Sequence, residues 1–259
     1  MVKKILLTTL IILLSGGLLG CWFWLVGGLE AKGRAEARCQ KVDVVLLDSL
    51  ESSIVDRQEM HDYLIRIVKG QRTDTVDLHS IEMAVRDRGE VMKADVYAAN
   101  PHTIAVEITQ RKPVVRFEKG AEHWYSDPDG YLFPVVHPVD VPVVTGSIPL
   151  APDKKYKGPA PDESRAWVLG VVDMARYIDS RNTLRGQIEQ IDVEPGGDLV
   201  LYTAEDGPAI IFGNSSDYVE KFRKLEVWWR NVEPEATAEK KHYKTINLKF
   251  NNQIICKEK

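Results

Sequence analysis

Few residues of the 259-residue chain stand at spacings that chemistry uses. His61, His79, His102, His123, His137 and His242 form neither a His-Glu-x-x-His nor a His-x-His pattern, so no pair of imidazoles is set up to grip a metal. Asp127-Pro-Asp129-Gly130 resembles the opening of a calcium loop. It lacks a third ligand before the glycine and a glutamate six residues after it, and is read as a hairpin turn. There is no Gly-x-Ser-x-Gly elbow and no Gly-x-x-x-x-Gly-Lys phosphate loop. Cys21, Cys39 and Cys256 do not have zinc spacing and are too few for a disulfide framework. Cys39 and Cys256 could pair in an oxidising compartment, although they lie at opposite ends of the soluble chain. The sequence therefore names no catalytic residue, metal, cofactor or small-molecule substrate, and an enzyme would need a site built from scattered residues.

Composition points the same way. Charged residues make up 28% and hydrophobic ones 44%, enough for a packed core. The chain carries 34 Lys+Arg against 38 Asp+Glu, and its first 29 residues hold only Lys3 and Lys4 as charged side chains. The rest is acidic, with a net charge of −6. Such a surface does not neutralise phosphates, which excludes a nucleic-acid partner.

Ile5 to Leu29 is a run of 25 residues with no charged side chain. As a helix it would reach about 37 Å, enough to span a hydrocarbon layer about 30 Å thick. Trp22 and Trp24 sit near its C-terminal end, where indoles favour the interface. A cleaved signal would have a shorter apolar region, about 7–15 residues. Leu18-Leu-Gly-Cys21 resembles a lipobox, but cleavage there would strand Trp22 to Val26 as an apolar stub. The run is read as one uncleaved transmembrane helix, with residues 1–4 cytoplasmic and the rest periplasmic.

After a charged stalk over 30–40, Lys41 to Leu47 reads as a strand with Val42, Val44 and Leu46 on one face. Asp56 and Glu59 open a helix carrying Met60, Tyr63, Leu64 and Ile67, closed at Gly70. A second helix is expected from about His79 to Arg88, with Ile81, Met83 and Val85 near its buried side. Residues 91–97 and 103–109 then alternate as strands. That makes a strand-helix-helix-strand-strand module over 41–112.

Beyond it, 113–259 reads as a mostly antiparallel β domain with flanking helices. Strands are expected at 114–118, 123–126, 131–135, 187–193, 199–203, 209–212, 243–250 and 253–256. Helices are expected at 165–178 and 217–231, the second with Val219, Phe222, Leu225 and Trp228 or Trp229 inward. Seven of the 13 prolines fall in 134–161, which reads as extended segments and surface loop.

Val91-Met-Lys-Ala-Asp-Val-Tyr97, Asn100-Pro-His-Thr-Ile-Ala-Val-Glu-Ile108, Gln110-Arg-Lys-Pro-Val-Val115, Asp127 to Phe133 and Tyr243-Lys-Thr-Ile-Asn-Leu-Lys-Phe250 stand in this order. Together they resemble the bacterial cell-division family FtsQ/DivIB. Gln110 stands where the family usually has Glu, and Asn247 where it has Asp. The resemblance implies a POTRA domain followed by a β domain, and a non-enzymatic divisome scaffold at the septum. It implies binding of FtsB- and FtsL-like proteins and a part in regulating septal peptidoglycan synthesis. A terminal β-strand at a sheet edge suits such a role, because its unpaired N–H and C=O groups accept an added strand. Lys249, Phe250, Asn251, Ile254 and Ile255 are the expected partner-binding residues there, with Arg223 on the preceding helix offering charge to an acidic partner. The rival reading is a POTRA-type chaperone or assembly module for outer-membrane or secreted chains. Such modules usually come in repeats beside a β-barrel, and one module is visible here.

Overall fold

The structure is a computed structural model that describes residues 21, 22, 24, 37–48, 53–203, 207–232, 242–251 and 253–259. The expected span over 5–29 lies almost wholly outside them, and among the described residues no helix is long and apolar enough to cross a membrane. The chain forms two compact units. One takes the residues up to 48, Asp56–Asp87 and Lys93–Thr109. The other takes the segment ending at Val55, then Arg88–Met92, and everything from Gln110 onward.

The first unit runs β1 (Lys41–Leu46), α1 (Arg57–Val68), α2 (Leu78–Arg86), β2 (Val91–Asn100) and β3 (Thr103–Gln110). Its sheet has the order β1-β3-β2, with β1 parallel to β3 and Val44 opposite Val106. Asp56 caps α1 by accepting from the Gln58 and Glu59 amides at 2.8 and 2.9 Å, and Asp77 caps α2 through the Ser80 amide. The buried face of α1 is Met60, Leu64 and Val68, a row at spacing four, so Tyr63 and Ile67 fall to its flank. On α2, Ile81 and Val85 are buried while Met83 is 50% exposed. Two residues advance a helix by about 200°, so Met83 cannot share their face.

The second unit is built on β4 (Val115–Lys119), β5 (Glu122–Ser126), β6 (Tyr131–Pro134), β7 (Val143–Gly146) and β8 (Gly158–Pro159). After α3 (Asp162–Asp179) come β9 (Ile188–Val193), β10 (Leu199–Thr203) and β11 (Ala209–Gly213); then α4 (Tyr218–Asn231), β12 (Tyr243–Asn247) and β13 (Ile255–Glu258). Among the described residues these strands form one ten-stranded sheet, ordered β13-β12-β11-β10-β9-β7-β4-β5-β6-β8. The fold is thus α+β with mixed sheets: β4–β7, β7–β9 and β11–β12 pair in parallel, the other neighbours antiparallel. One face of the sheet, including Phe117, Trp124, Val144, Ile191, Leu201, Phe212 and Ile246, buries against Val168, Val172 and Ala175 of α3 and Phe222, Leu225 and Trp228 of α4. On the other face Ile54, Tyr125 and Phe133 make a smaller cluster. There the Tyr125 hydroxyl donates to the His137 carbonyl and accepts from the Val139 amide, pinning the proline-rich segment.

That segment also holds a strand the sequence did not declare. β7 sits between β4 and β9, parallel to both, with Val144 fully buried. A central strand with parallel neighbours on both sides shows a short apolar run rather than alternation, and the flanking prolines masked it. At the opposite margin, β8 is two residues long and ends in Pro159.

Two of the segments that carry the family resemblance, 110–115 and 127–133, meet in this unit. Gln110 Oε1 accepts from the Ser53 hydroxyl and from the Ile54 and Val55 amides at 2.8, 3.1 and 2.9 Å. Arg111 donates to Asp127 at 2.7 Å and lies 3.5 Å over the Tyr131 ring. Asp127 is therefore engaged by an arginine and by its own turn, whose Asp129 and Tyr131 amides it accepts. Gln110→Ala takes the acceptor from two buried backbone amides, those of Ile54 and Val55, while the Ser53 hydroxyl keeps the Val55 carbonyl, and is expected to cost about 2 kcal/mol. Gln110→Glu, which keeps an acceptor in place, loses less. The shift in the urea midpoint at constant slope measures both.

Candidate functional site

β13 closes one margin of the ten-stranded sheet. It runs antiparallel to β12, pairing Ile255 with Asn247, Cys256 with Ile246 and Lys257 with Thr245. Ile246 is fully buried and Cys256 packs against the main core, so this face of β13 looks toward α4. Burial pushes the Cys256 thiol pKa up and keeps it protonated. Ile255 is 45% exposed, and the Lys257 and Glu258 side chains are exposed. The Lys259 amide donates to the His242 carbonyl at 2.8 Å. Donors alternate along an antiparallel strand, so the amides of Cys256 and Glu258 point away from β12, along the open margin.

α4 stands beside this edge. Phe222, Leu225 and Trp228 anchor it, and Trp228 meets the Tyr243 ring edge-on at 5.7 Å between centroids. Lys221 is buried with its ammonium donating to the Asn214 carbonyl at 2.9 Å, and burial lowers its pKa. The helix begins at Asp217, whose φ of 54° is left-handed. The expected inward position of Val219 is not observed, for it is 38% exposed. Each step of three residues rotates the buried stripe by about 60°, which carries Val219 about 120° from Leu225.

Between α4 and the β12–β13 connection lies an open groove of about 810 Å³. Its walls include Val219, Glu220, Arg223, Lys224, Asn251 and Ile254. Three of the expected partner-binding residues, Arg223, Asn251 and Ile254, thus share one surface, and Ile255 lies on the edge strand itself. Lys249 and Phe250 were expected inside a strand running to residue 250, with Asn251 just after it. The strand instead stops at Asn247, whose side-chain carbonyl accepts the Lys249 amide at 3.0 Å and turns the chain. Lys249 crosses Gly213 to pair with Asp198; a β-carbon on Gly213 would lie 3.0 Å from Lys249 Cγ. Phe250 is 46% exposed, and its carbonyl accepts from Lys224 at 2.8 Å. Lys224 is the anchor the sequence reading missed: it also reaches the Asn251 carbonyl at 3.2 Å and ties the connection to the helix. No periodicity marks it, since its target is backbone brought close by the fold.

Among the described residues the arrangement is an open edge strand beside a groove walled by both basic and acidic side chains, a geometry with which an added strand can pair. Residues 112–257 match the family model described as FtsQ/DivIB, C-terminal related, and the chain belongs to the FtsQ/DivIB family. Membership carries a role in the bacterial divisome. No curated protein matches the chain.

Proposed function

We propose that the protein is a non-enzymatic, membrane-anchored scaffold of the divisome that binds FtsB- and FtsL-like proteins by adding a partner strand to β13. In this reading residues 5–29 form the single inner-membrane span and residues 41–112 the POTRA domain. Residues 113–259 present the binding edge in the periplasm at the septum, where partner binding helps regulate peptidoglycan synthesis. The observation that carries the reading is the position of β13, the last strand of its sheet, with no neighbour on its outer side among the described residues. An added strand gains main-chain hydrogen bonds there, and Ile255 together with the Arg223 and Ile254 groove wall supplies selectivity.

Glu258→Pro tests this. It removes an outward-facing donor and places a ring where the incoming backbone must lie, while the ladder to β12 keeps its bonds. Recovery of FtsB- and FtsL-like partners with the anchored protein is expected to fall at least tenfold, with the near-UV circular dichroism unchanged. Undiminished recovery from a folded variant refutes strand addition at β13.

A further inference from the structure

The first unit has a basic end. There the segment 38–41 is zipped to the turn after α1: the Cys39 amide donates to the Gln71 carbonyl, the Gly70 amide to the Cys39 carbonyl, and Arg38 bridges Arg72. The β2–β3 turn joins the same end, since the His102 carbonyl accepts the Gln40 and Lys41 amides and its ring bonds the Arg38 carbonyl at 3.0 Å. These contacts gather Arg38, Lys41, Arg66, Lys69 and Arg72, all exposed, in a chain whose soluble part is otherwise acidic. Lys41 and Arg72 are paired with Asp43 and Asp74. Among the described residues no carboxylate pairs with Arg38, Arg66 or Lys69. Ile67, 38% exposed, follows Arg66 in the last turn of α1.

The place of this end along the chain gives the cluster a partner. Eight peptide steps separate Leu29, the last residue of the apolar run, from Ala37, a reach of at most about 30 Å even fully extended. A cationic surface on so short a tether meets the bilayer at high effective concentration. We infer that the end of the first unit formed by Arg38, Arg66, Lys69 and Arg72 docks on anionic phospholipid headgroups of the membrane that holds the anchor. The guanidinium groups match phosphate oxygens, and exposed Ile67 supplies the apolar contact at the interface. Docking fixes how the first unit stands on the bilayer. This inference rests on the anchor reading of residues 5–29.

The test uses the full chain reconstituted in lipid nanodiscs, with a photoactivatable amino acid replacing exposed Gln71 and lipid adducts counted by mass spectrometry. Discs of phosphatidylcholine are compared with discs in which a third of the lipid is phosphatidylglycerol. At least threefold more adduct per protein is expected on the anionic discs. The excess disappears at high salt, where the Debye length shrinks to about 3 Å, and in the Arg66→Glu/Lys69→Glu double variant. Neither side chain makes a hydrogen bond or ion pair among the described residues, so an unchanged circular dichroism spectrum is expected. Equal adducts on both discs, or an excess that survives salt and charge reversal, overturns the inference alone. A chain that fails to enter the discs overturns the anchor reading, and the inference with it.

Discussion

Asp127→Ala is expected to destabilise the second unit by about 4 kcal/mol, read as a lowered urea midpoint with Trp124 fluorescence as the probe. The side chains of Asp127 and Arg111 are 4% and 14% exposed, so their 2.7 Å contact sits away from water. Removing one member of a buried ion pair costs more than the pair contributes, because the remaining charge keeps its desolvation penalty. Arg111 would be left with the Tyr131 ring, which offsets only part of that loss. The alanine also deprives the Asp129 and Tyr131 amides of the oxygen that shapes the hairpin turn. Asp127→Asn separates the two effects. It keeps an acceptor for the turn and loses the charge, so about half the destabilisation is expected. An asparagine variant as stable as the parent would show that the turn, not the ion pair, holds this corner.

Gly146→Ala should be comparably severe, at about 3–4 kcal/mol. Gly146 ends β7 with φ of 87°, a conformation that alone disfavours a side chain. An added β-carbon would lie 2.4 Å from the Val193 carbonyl oxygen and 2.9 Å from its amide nitrogen. Both atoms belong to the backbone of β9, the strand β7 pairs with in parallel, and the Val193 carbonyl also accepts the Ser147 amide. Relief would require pulling apart two central strands. Gly196, in the β9–β10 turn, has nothing within 4 Å of its virtual β-carbon. Gly196→Ala is expected to change stability by less than about 0.5 kcal/mol. Parallel denaturation of the two variants checks both statements.

Local signals carried much of this fold. Asp56 as a cap, the Asp127–Gly130 turn and the meander over 188–213 are set by neighbours in sequence, and they are found as read. What escaped is set by distant partners. β7 is a strand because β4 and β9 flank it, which no local pattern announces. Met83 and Val219 are apolar and near the expected stripe, yet a rotation of the helix face leaves them outside. The departures from the family pattern are also informative in three dimensions. Gln110 offers its oxygen to the three donors that a carboxylate would satisfy, and Asn247 ends β12 with an oxygen that aspartate also has. Arg223 and Ile254 line the groove and Ile255 lies on the edge strand, positions that follow from exposed charge and a terminal strand in sequence order. The pairing of Lys249 with Asp198 does not follow from sequence order, since it depends on Gly213 leaving room for its stem across β11.

The two margins of the ten-stranded sheet are unequal. β8 has two residues and finishes in proline, which offers no N–H and cannot carry a ladder outward. Among the described residues, β13 is therefore the margin of this sheet with a longer row of backbone groups to offer. Under the proposed strand addition, a molecule with one receptive flank would have a valency of one in any assembly built through this sheet.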